Sequence, residues 1–230
     1  MNRGIKTLFI DVPQTYELVN HVLTLGFDLL WRKKAVKIAA ENGGARWLDV
    51  CSGTGETACL LKRLAPEGTF INAVDFSVPM LRKAAEKPEA RDFSLTVADA
   101  TALPFPDGSI DLVTISFATR NLNISRKHLH RAFSEFHRIL KPGGRFVNTE
   151  TSQPESWPVR KLFHLYVKVA VKPVGTLISG SKPAYTYLSR TIPRFYHRGE
   201  LSAIMKEAGF SSVECRPLLF GAAAIHKAVK

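Results

Sequence analysis

Three cysteines are scattered through 230 residues, at Cys51, Cys59 and Cys215, with no spacing that pairs them or sets them around a metal. So sparse and odd a set excludes a disulfide scaffold and reads as reduced thiols of a cytosolic protein. No stretch approaches the ~18 consecutive apolar residues that a membrane-spanning helix needs. The N-terminus, MNRGIKTLFIDVPQTYEL, meets Asp11 too early for the apolar core of a signal peptide. The 15 Gly and 13 Pro follow no period, which excludes a collagen-like chain, and neither an internal repeat nor a low-complexity linker is present. With 45% hydrophobic and 23% charged residues, wholesale disorder is excluded too.

Acidic residues are scarce in the second half. Residues 1–115 carry 13 Lys/Arg against 14 Asp/Glu, whereas residues 116–230 carry 19 against 6. Between Glu155 and Glu200 stand eight bases and no acid: Arg160, Lys161, Lys168, Lys172, Lys182, Arg190, Arg194 and Arg198. A face this positive meets something negative, nucleic acid or an anionic membrane, and the sign alone does not choose.

What is present is an alternation of strands and helices. Ala45–Cys51, Thr69–Val74, Phe93–Ala98, Ile110–Phe117 and the RFVNTET run at 145–151 read as five strands. Helices are expected at Glu56–Leu64, after a Ser77 cap with Pro79 in the first turn, at Arg126–Leu140 before Lys-Pro-Gly-Gly, and at Glu200–Ala208 before Gly209. Two closing strands, near Val213–Arg216 and Phe220–Ala228, are joined by a short link and form a hairpin. The expected fold is therefore α/β: a doubly wound, mostly parallel seven-stranded sheet with an antiparallel C-terminal hairpin.

In such a sheet ligands bind beyond the carboxyl ends of the strands. Asp49, Asp75 and Asp99 all lie at or beside strand ends, and the turn Ser52-Gly53-Thr54-Gly55 opens a helix. Gly53-x-Gly55-x-x-Ala58 with Asp75 downstream matches a dinucleotide fingerprint, so a nicotinamide or flavin stays open on the turn alone. Asp49 shifts the balance. A dinucleotide site needs no carboxylate four residues before the loop, but a sulfonium amino acid needs one for its ammonium. Asp99-Ala100 is placed to accept an adenine amino group while leaving room for the ring. S-adenosylmethionine is the better fit.

Further motifs carry a family resemblance. Tyr16-Glu17-Leu18-Val19-Asn20, Trp31-Arg32, Leu103-Pro104-Phe105-Pro106-Asp107, Ser116-Phe117-Ala118-Thr119-Arg120-Asn121 and Arg138–Phe146 with Glu150 and Ser152 resemble the ubiquinone/menaquinone biosynthesis C-methyltransferases, a family of class I S-adenosylmethionine methyltransferases. Tyr185-x-Tyr187-Leu188 and Ala208-Gly209-Phe210 are similar to its C-terminal part, and the likeness runs from Val12 to Lys230. Departures fall on the acceptor side: Glu17, Val19, Thr24, Asp28, Thr149 and Gly180-Ser181-Lys182.

The resemblance implies one methyltransferase domain over 1–230, with an N-terminal helical cover at 1–44 and an inserted basic helical lid at 153–198. It also implies methylation of a ring carbon of a reduced prenylated quinone, first a demethylmenaquinol, next a demethoxy-benzoquinol or another hydrophobic phenol. Cofactor contacts are expected at Asp49, Gly53, Thr54, Gly55, Asp75, Phe76, Asp99, Ala100 and Ser116. Arg120, Asn121 and Tyr16 are expected to act on the acceptor: Arg120, always protonated, steadies a developing phenolate, and a water held between Asn121 and Tyr16 carries the proton away. No metal is expected. His128, His130 and His137 read as solvated, while His164 and His197 stay open.

If 157–172 is helical, Arg160, His164, Lys168 and Lys172 form one basic stripe beside Trp157, Leu162, Phe163, Leu165, Tyr166, Val169 and Ala170. That pattern fits a membrane interface or a plain lid helix. The expectation is a cytoplasmic enzyme docking peripherally, through residues 157–198, on the anionic inner face of the membrane, with homodimerisation left open. Nucleic acid is not expected, since no single-strand stacking motif and no Asn/Asp-Pro-Pro-Tyr/Phe element is present. A catalytically silent scaffold is argued against by the intact acids and glycines.

Overall fold

Strand-forming runs closed by glycine or acid, alternating with helices that bury one stripe, assemble into a single sheet of order β3-β2-β1-β4-β5-β7-β6. The structure is a computed structural model and describes residues 15–41 and 43–230. Residues 1–14 of the expected N-terminal cover, and Asn42, lie outside it.

Helices α1 (Tyr16–Thr24) and α2 (Phe27–Ala40) precede β1 (Arg46–Val50). Then follow α3 (Glu56–Leu64), β2 (Phe70–Asp75), α4 (Val78–Ala85), β3 (Ser94–Val97) and β4 (Ile110–Ser116). A short turn of helix, α5 (Thr119–Leu122), leads to α6 (Arg126–Ile139) and β5 (Leu140–Thr151). The first five strands pair in parallel, and β7 (Ala223–Val229) runs antiparallel between β5 and the edge strand β6 (Ser212–Leu218). The chain thus winds outward both ways from the β1/β4 pair, which is the topological switch point.

The sequence expectations hold for the strands, with differences at the ends. Lys-Pro-Gly-Gly does not simply separate α6 from a strand: Leu140 already pairs with Ile110, the register jumps to Arg145 opposite Leu112, and Lys141–Gly144 bulge out. Phe220 is not in a strand. It sits at φ 54° in a 3₁₀ turn, Leu219–Gly221, and β7 starts at Ala223. Helix α10 (Arg198–Glu207) begins two residues early because His197 caps it, its Nδ1 accepting the Gly199 N–H while Glu200 accepts the His197 N–H.

Residues 157–194 come as α7 (Trp157–Tyr166), a π turn (Val167–Val171), α8 (Lys172–Ser179), α9 (Lys182–Thr191) and a 3₁₀ turn. One sheet face buries Phe133, Phe136, Phe146 and Phe210 beneath α6 and α10, and the other buries Trp47, Ile71 and Leu112 beneath α2 and α3. A third cluster, Val19, Met80, Val167, Val171, Ala184 and Tyr185, ties α1 to α4 and the inserted helices over the carboxyl ends of the strands.

Candidate active site

The turn after β1 needs glycine for its backbone. Cys51, Gly53 and Gly55 lie at φ 53°, 54° and 82°, a region that costs an ordinary residue energy. A Cβ on Gly55 would also stand 3.0 Å from the Ala84 Cβ. Asp75, at the end of β2, accepts the Gly53 N–H at 2.9 Å and the Ser77 N–H at 2.8 Å. One carboxylate therefore joins the glycine turn to the α4 cap, and burial pushes its pKa up against these hydrogen bonds.

A cleft opens above these turns. Tyr16, Arg32, Cys51, Ser52, Gly53, Thr54, Glu56, Asp75, Phe76, Met80, Ser116, Ala118, Asn121 and Leu122 line it. A recess sharing Cys51, Asp75, Phe76 and Leu122 with it is bounded by Asp99 and Ala100. The structure thus brings Gly53, Thr54, Asp75, Phe76, Asp99, Ala100 and Ser116 together. Gly55 stands behind the turn, outside the lining.

Asp49 is also outside it, 1% exposed beneath the loop, with Oδ1 accepting the Thr114 hydroxyl at 2.8 Å. Burial pushes its pKa up to about 7, against the Thr114 hydrogen bond and the charge of Arg32. Asp99 accepts the Thr101 N–H and hydroxyl at 3.0 and 2.9 Å, which fixes the turn after β3.

The fit to an adenosyl amino acid can be tested on polar atoms. Ser52 Oγ and Asn121 Oδ1, both on cleft-lining residues, are buried with no hydrogen-bond partner among the described residues. Buried polar atoms are normally satisfied, so each calls for a ligand group. With Asp75 at one end and Asp99 at the other, the donor and acceptor set suits S-adenosylmethionine.

Beyond Tyr16 lies a second, mostly apolar cavity of about 510 Å³. Leu23, Phe27, Trp31, Phe117, Phe163 and Val171 are among its apolar walls, and Tyr16, Asp28, Arg120, Glu150 and Thr151 supply polar groups. Tyr16 belongs to both cavities, Arg120 to the apolar one and Asn121 to the cleft.

Arg120 is not a surface residue. It is 7% exposed, its N–H donates to Glu150 Oε2 at 3.0 Å, and Nε and Nη1 have no partner among the described residues. A buried guanidinium left this way costs several kcal/mol unless something polar meets it. The turn that carries it is held from behind, where the Thr119 hydroxyl donates to buried Asn148. Phe117, at φ 57°, bends the chain out of β4 into this turn.

Arg32 and Glu150 belong to motifs of the sequence that give neither of them a role. Arg32 donates to Thr57 at 2.9 Å, lies 3.5 Å from Glu56, and sits 5.0 Å from the Phe117 ring centre. Its signal was a charge on the stripe Asp28, Arg32, Ala35, Val36, Ala39 that α2 buries. Glu17, His21 and Glu56 converge beside the cleft at metal-ligand spacing. Each is already engaged: Glu17 by Lys87 at 2.6 Å, His21 by Asp28 at 2.8 Å, and Glu56 by Arg32.

The histidines on α6 are half-buried rather than fully solvated. His130 bonds the Glu207 carbonyl, and His137 meets Phe210 edge-on. Burial lowers the pKa of both His128 and His137. His164 leaves the proposed stripe as well. It turns inward to bond Gln153 Oε1 at 2.7 Å, while Lys168 and Lys172, beyond the α7 end, stay exposed.

The chain matches the model of the ubiE/COQ5 methyltransferase family over residues 1–230. It is 41% identical over 221 residues to the demethylmenaquinone methyltransferase of Thermus thermophilus, covering 95% of this chain and 98% of that one. It is 36% identical to the ubiquinone/menaquinone biosynthesis C-methyltransferase UbiE of Geobacter sulfurreducens, covering 98% and 88%. Among solved structures, a SAM-dependent methyltransferase from Thermotoga maritima superposes with a TM-score of 0.68 at 20% identity, covering 98% and 99%, a likeness of fold. With motif, fold and cleft in agreement, the chain belongs to the ubiE/COQ5 methyltransferase family and is an S-adenosylmethionine-dependent methyltransferase.

Proposed function

We propose that the enzyme methylates a ring carbon of a reduced, prenylated naphthoquinone, a demethylmenaquinol, in respiratory quinone biosynthesis. One observation carries this beyond the family name. The cavity beside the methyl-donor cleft is apolar over most of its wall, and Arg120 stands at its polar end with two guanidinium nitrogens unpartnered among the described residues. A quinol has that shape: an aromatic ring with hydroxyls at one end and a long hydrocarbon tail at the other. When bound, S-adenosylmethionine supplies an electrophilic methyl group. The chain's part is to align the ring, steady the charge on its oxygen and exclude water. Demethylmenaquinone methyltransferases among the relatives favour the naphthoquinol over a benzoquinol. The test is turnover by the purified protein on both reduced acceptors, with demethylmenaquinol expected to give the higher kcat/KM. Equal or reversed preference would shift the reading to ubiquinone biosynthesis.

The second part of the reading is peripheral docking on an anionic membrane through residues 157–198, which close over the cavity as a lid. No helix among the described residues is long and apolar enough to cross a membrane, so a lipid-borne acceptor is met at the surface. Trp157, Leu162, Leu165, Tyr166 and Val169 of the α7 and π-turn segment are exposed, and the Lys161 ammonium lies 4.0 Å over the Trp157 ring. Leu25, Leu162 and Phe220, from three separate segments, line the cavity yet are 81, 68 and 82% exposed. The cavity mouth is thus rimmed by hydrocarbon, and Lys161, Lys168 and Lys172 stand near it in sequence. Such a rim suits lipid better than water.

A further inference from the structure

We propose that Glu150 is the base that takes the proton from the acceptor hydroxyl. This rests on the quinol reading above and adds the residue that reading lacks.

Among the described residues, the titratable groups lining the apolar cavity are Tyr16, Asp28, Arg120, Glu150 and Tyr166. Arginine holds its proton throughout. Burial raises the pKa of both Tyr16 and Tyr166, so neither offers a phenolate. Asp28 is spent on its neighbours: Oδ1 accepts the Thr24 hydroxyl at 2.6 Å and Oδ2 meets His21 Nδ1 at 2.8 Å. Asn121, expected from sequence to act on the acceptor but lining the methyl-donor cleft, is an amide and takes no proton.

Glu150 differs from all of these. It is 1% exposed and stands on β5, inside the sheet, so its backbone is rigid. Oε1 is filled by the Thr151 N–H at 2.7 Å and the Thr151 hydroxyl at 2.8 Å. Among the described residues Oε2 accepts only the Arg120 N–H, at 3.0 Å, which leaves it a lone pair. The contact to Arg120 runs through the backbone, so Nε and Nη1 are not consumed in an ion pair with this carboxylate. Both Tyr16 and Tyr187 phenols feel the same two charges, Arg120 lowering and Glu150 raising their pKa. A phenol at this end of the cavity therefore meets a cation and a carboxylate together.

The acceptor's O–H bond breaks and its proton binds Glu150 Oε2. The electron pair left on oxygen, steadied by Arg120, raises the electron density of the neighbouring ring carbon. That carbon forms the new C–CH₃ bond, the electrons of the old S–CH₃ bond remaining on sulfur. The carbon then loses its own hydrogen as a proton to water, and aromaticity returns. Glu150 gives its proton back to the oxygen, so one proton is released per turnover and no redox partner is needed.

The test compares wild type, Glu150→Gln and Glu150→Asp on demethylmenaquinol and on a ring-halogenated quinol whose hydroxyl is more acidic. Cofactor affinity is read separately by calorimetry. Removing a positioned base typically costs ~10²–10⁴ in rate. Glu150→Gln should lose that much on the ordinary quinol, lose the low-pH limb of kcat, and bind S-adenosylmethionine as wild type does. The acidic quinol, which needs less help to ionise, should recover at least tenfold of the loss. If Glu150→Gln does not fold, Glu150→Asp carries the comparison, with the limb kept and the same partial rescue expected. An equal loss on both acceptors, or an undiminished rate, would overturn the proposal and leave Glu150 a support for the Arg120 turn. If the wild type itself methylates no quinol, the reaction reading falls, and that arm shows it independently of any variant.

Discussion

The Asp75 carboxylate accepts the Gly53 N–H at 2.9 Å, so the acid ending β2 and the glycine turn after β1 are one mechanical unit. Asp75→Ala removes the carboxylate expected to accept the ribose hydroxyls and also frees the turn. Each charged hydrogen bond lost costs about 1.5–3 kcal/mol, so S-adenosylmethionine should bind roughly ten- to a hundredfold more weakly. Calorimetry with unchanged affinity would contradict this.

Arg120 and Asn121 are neighbours in sequence that face different cavities. Arg120→Ala should therefore cost ~10²–10³ in turnover and leave cofactor affinity within about twofold. Turnover near wild type at saturating quinol would remove Arg120 from the chemistry.

Asp49 gives a pH prediction with a definite sign. Burial raises its folded pKa to about 7, above the ordinary carboxyl value, so the folded state holds the proton more tightly than the unfolded one. Its favourable contribution is complete below the unfolded value and disappears as pH rises through about 7. Asp49→Asn, neutral at every pH, should flatten the stability profile between pH 4 and 7 and be more stable than wild type above pH 7. Denaturant melts at pH 5 and pH 8 check it, and a parallel profile for both proteins would contradict it.

Gly175 lets α8 lie against α9. A Cβ there would fall 2.1 Å from the ring of Tyr185, which is 2% exposed. Overpacking of this kind costs ~1–3 kcal/mol, and in a chain this size each kcal/mol lowers Tm by about 2–4 °C. Gly175→Ala should melt correspondingly earlier and raise KM for the quinol more than it lowers kcat. An unchanged Tm would show that the inserted helices are not packed as described.

Neutralising Arg160, Lys161, Lys168 and Lys172 together should release the protein from anionic vesicles and leave cofactor binding intact. Wild-type binding should itself weaken with salt, as the Debye length falls from ~10 Å at 0.1 M to ~3 Å at 1 M. Equal pelleting of both proteins, or of neither, would return residues 157–198 to a solvated lid.

The cofactor end was legible because its signals are local. Gly53 and Gly55 mark positive φ, Ser77 marks a cap, and Asp75 and Asp99 close apolar runs. The acceptor end is assembled from distant pieces. Glu150 meets Arg120 across 30 residues through the β4–β5 pairing, and nothing near either residue in sequence announces the contact. Arg32 is placed by burial of a helix stripe, which a short amphipathic pattern shows only weakly. His164 belonged to a basic stripe by spacing alone, and one hydrogen bond to Gln153 outweighed that spacing. The place of β7 between β5 and β6 was likewise invisible, since an antiparallel hairpin reads the same whichever strand lies at the edge.

The most direct test of the account is the position of the transferred methyl. Wild-type protein is supplied with ¹³C-methyl S-adenosylmethionine and reduced demethylmenaquinone in anionic vesicles, and the quinone product is isolated for NMR and mass spectrometry. The account predicts a single added methyl on the ring carbon beside a hydroxyl, with both oxygens unmodified. A methyl on oxygen, or label recovered in nucleic acid or protein and none in the quinone, would contradict it.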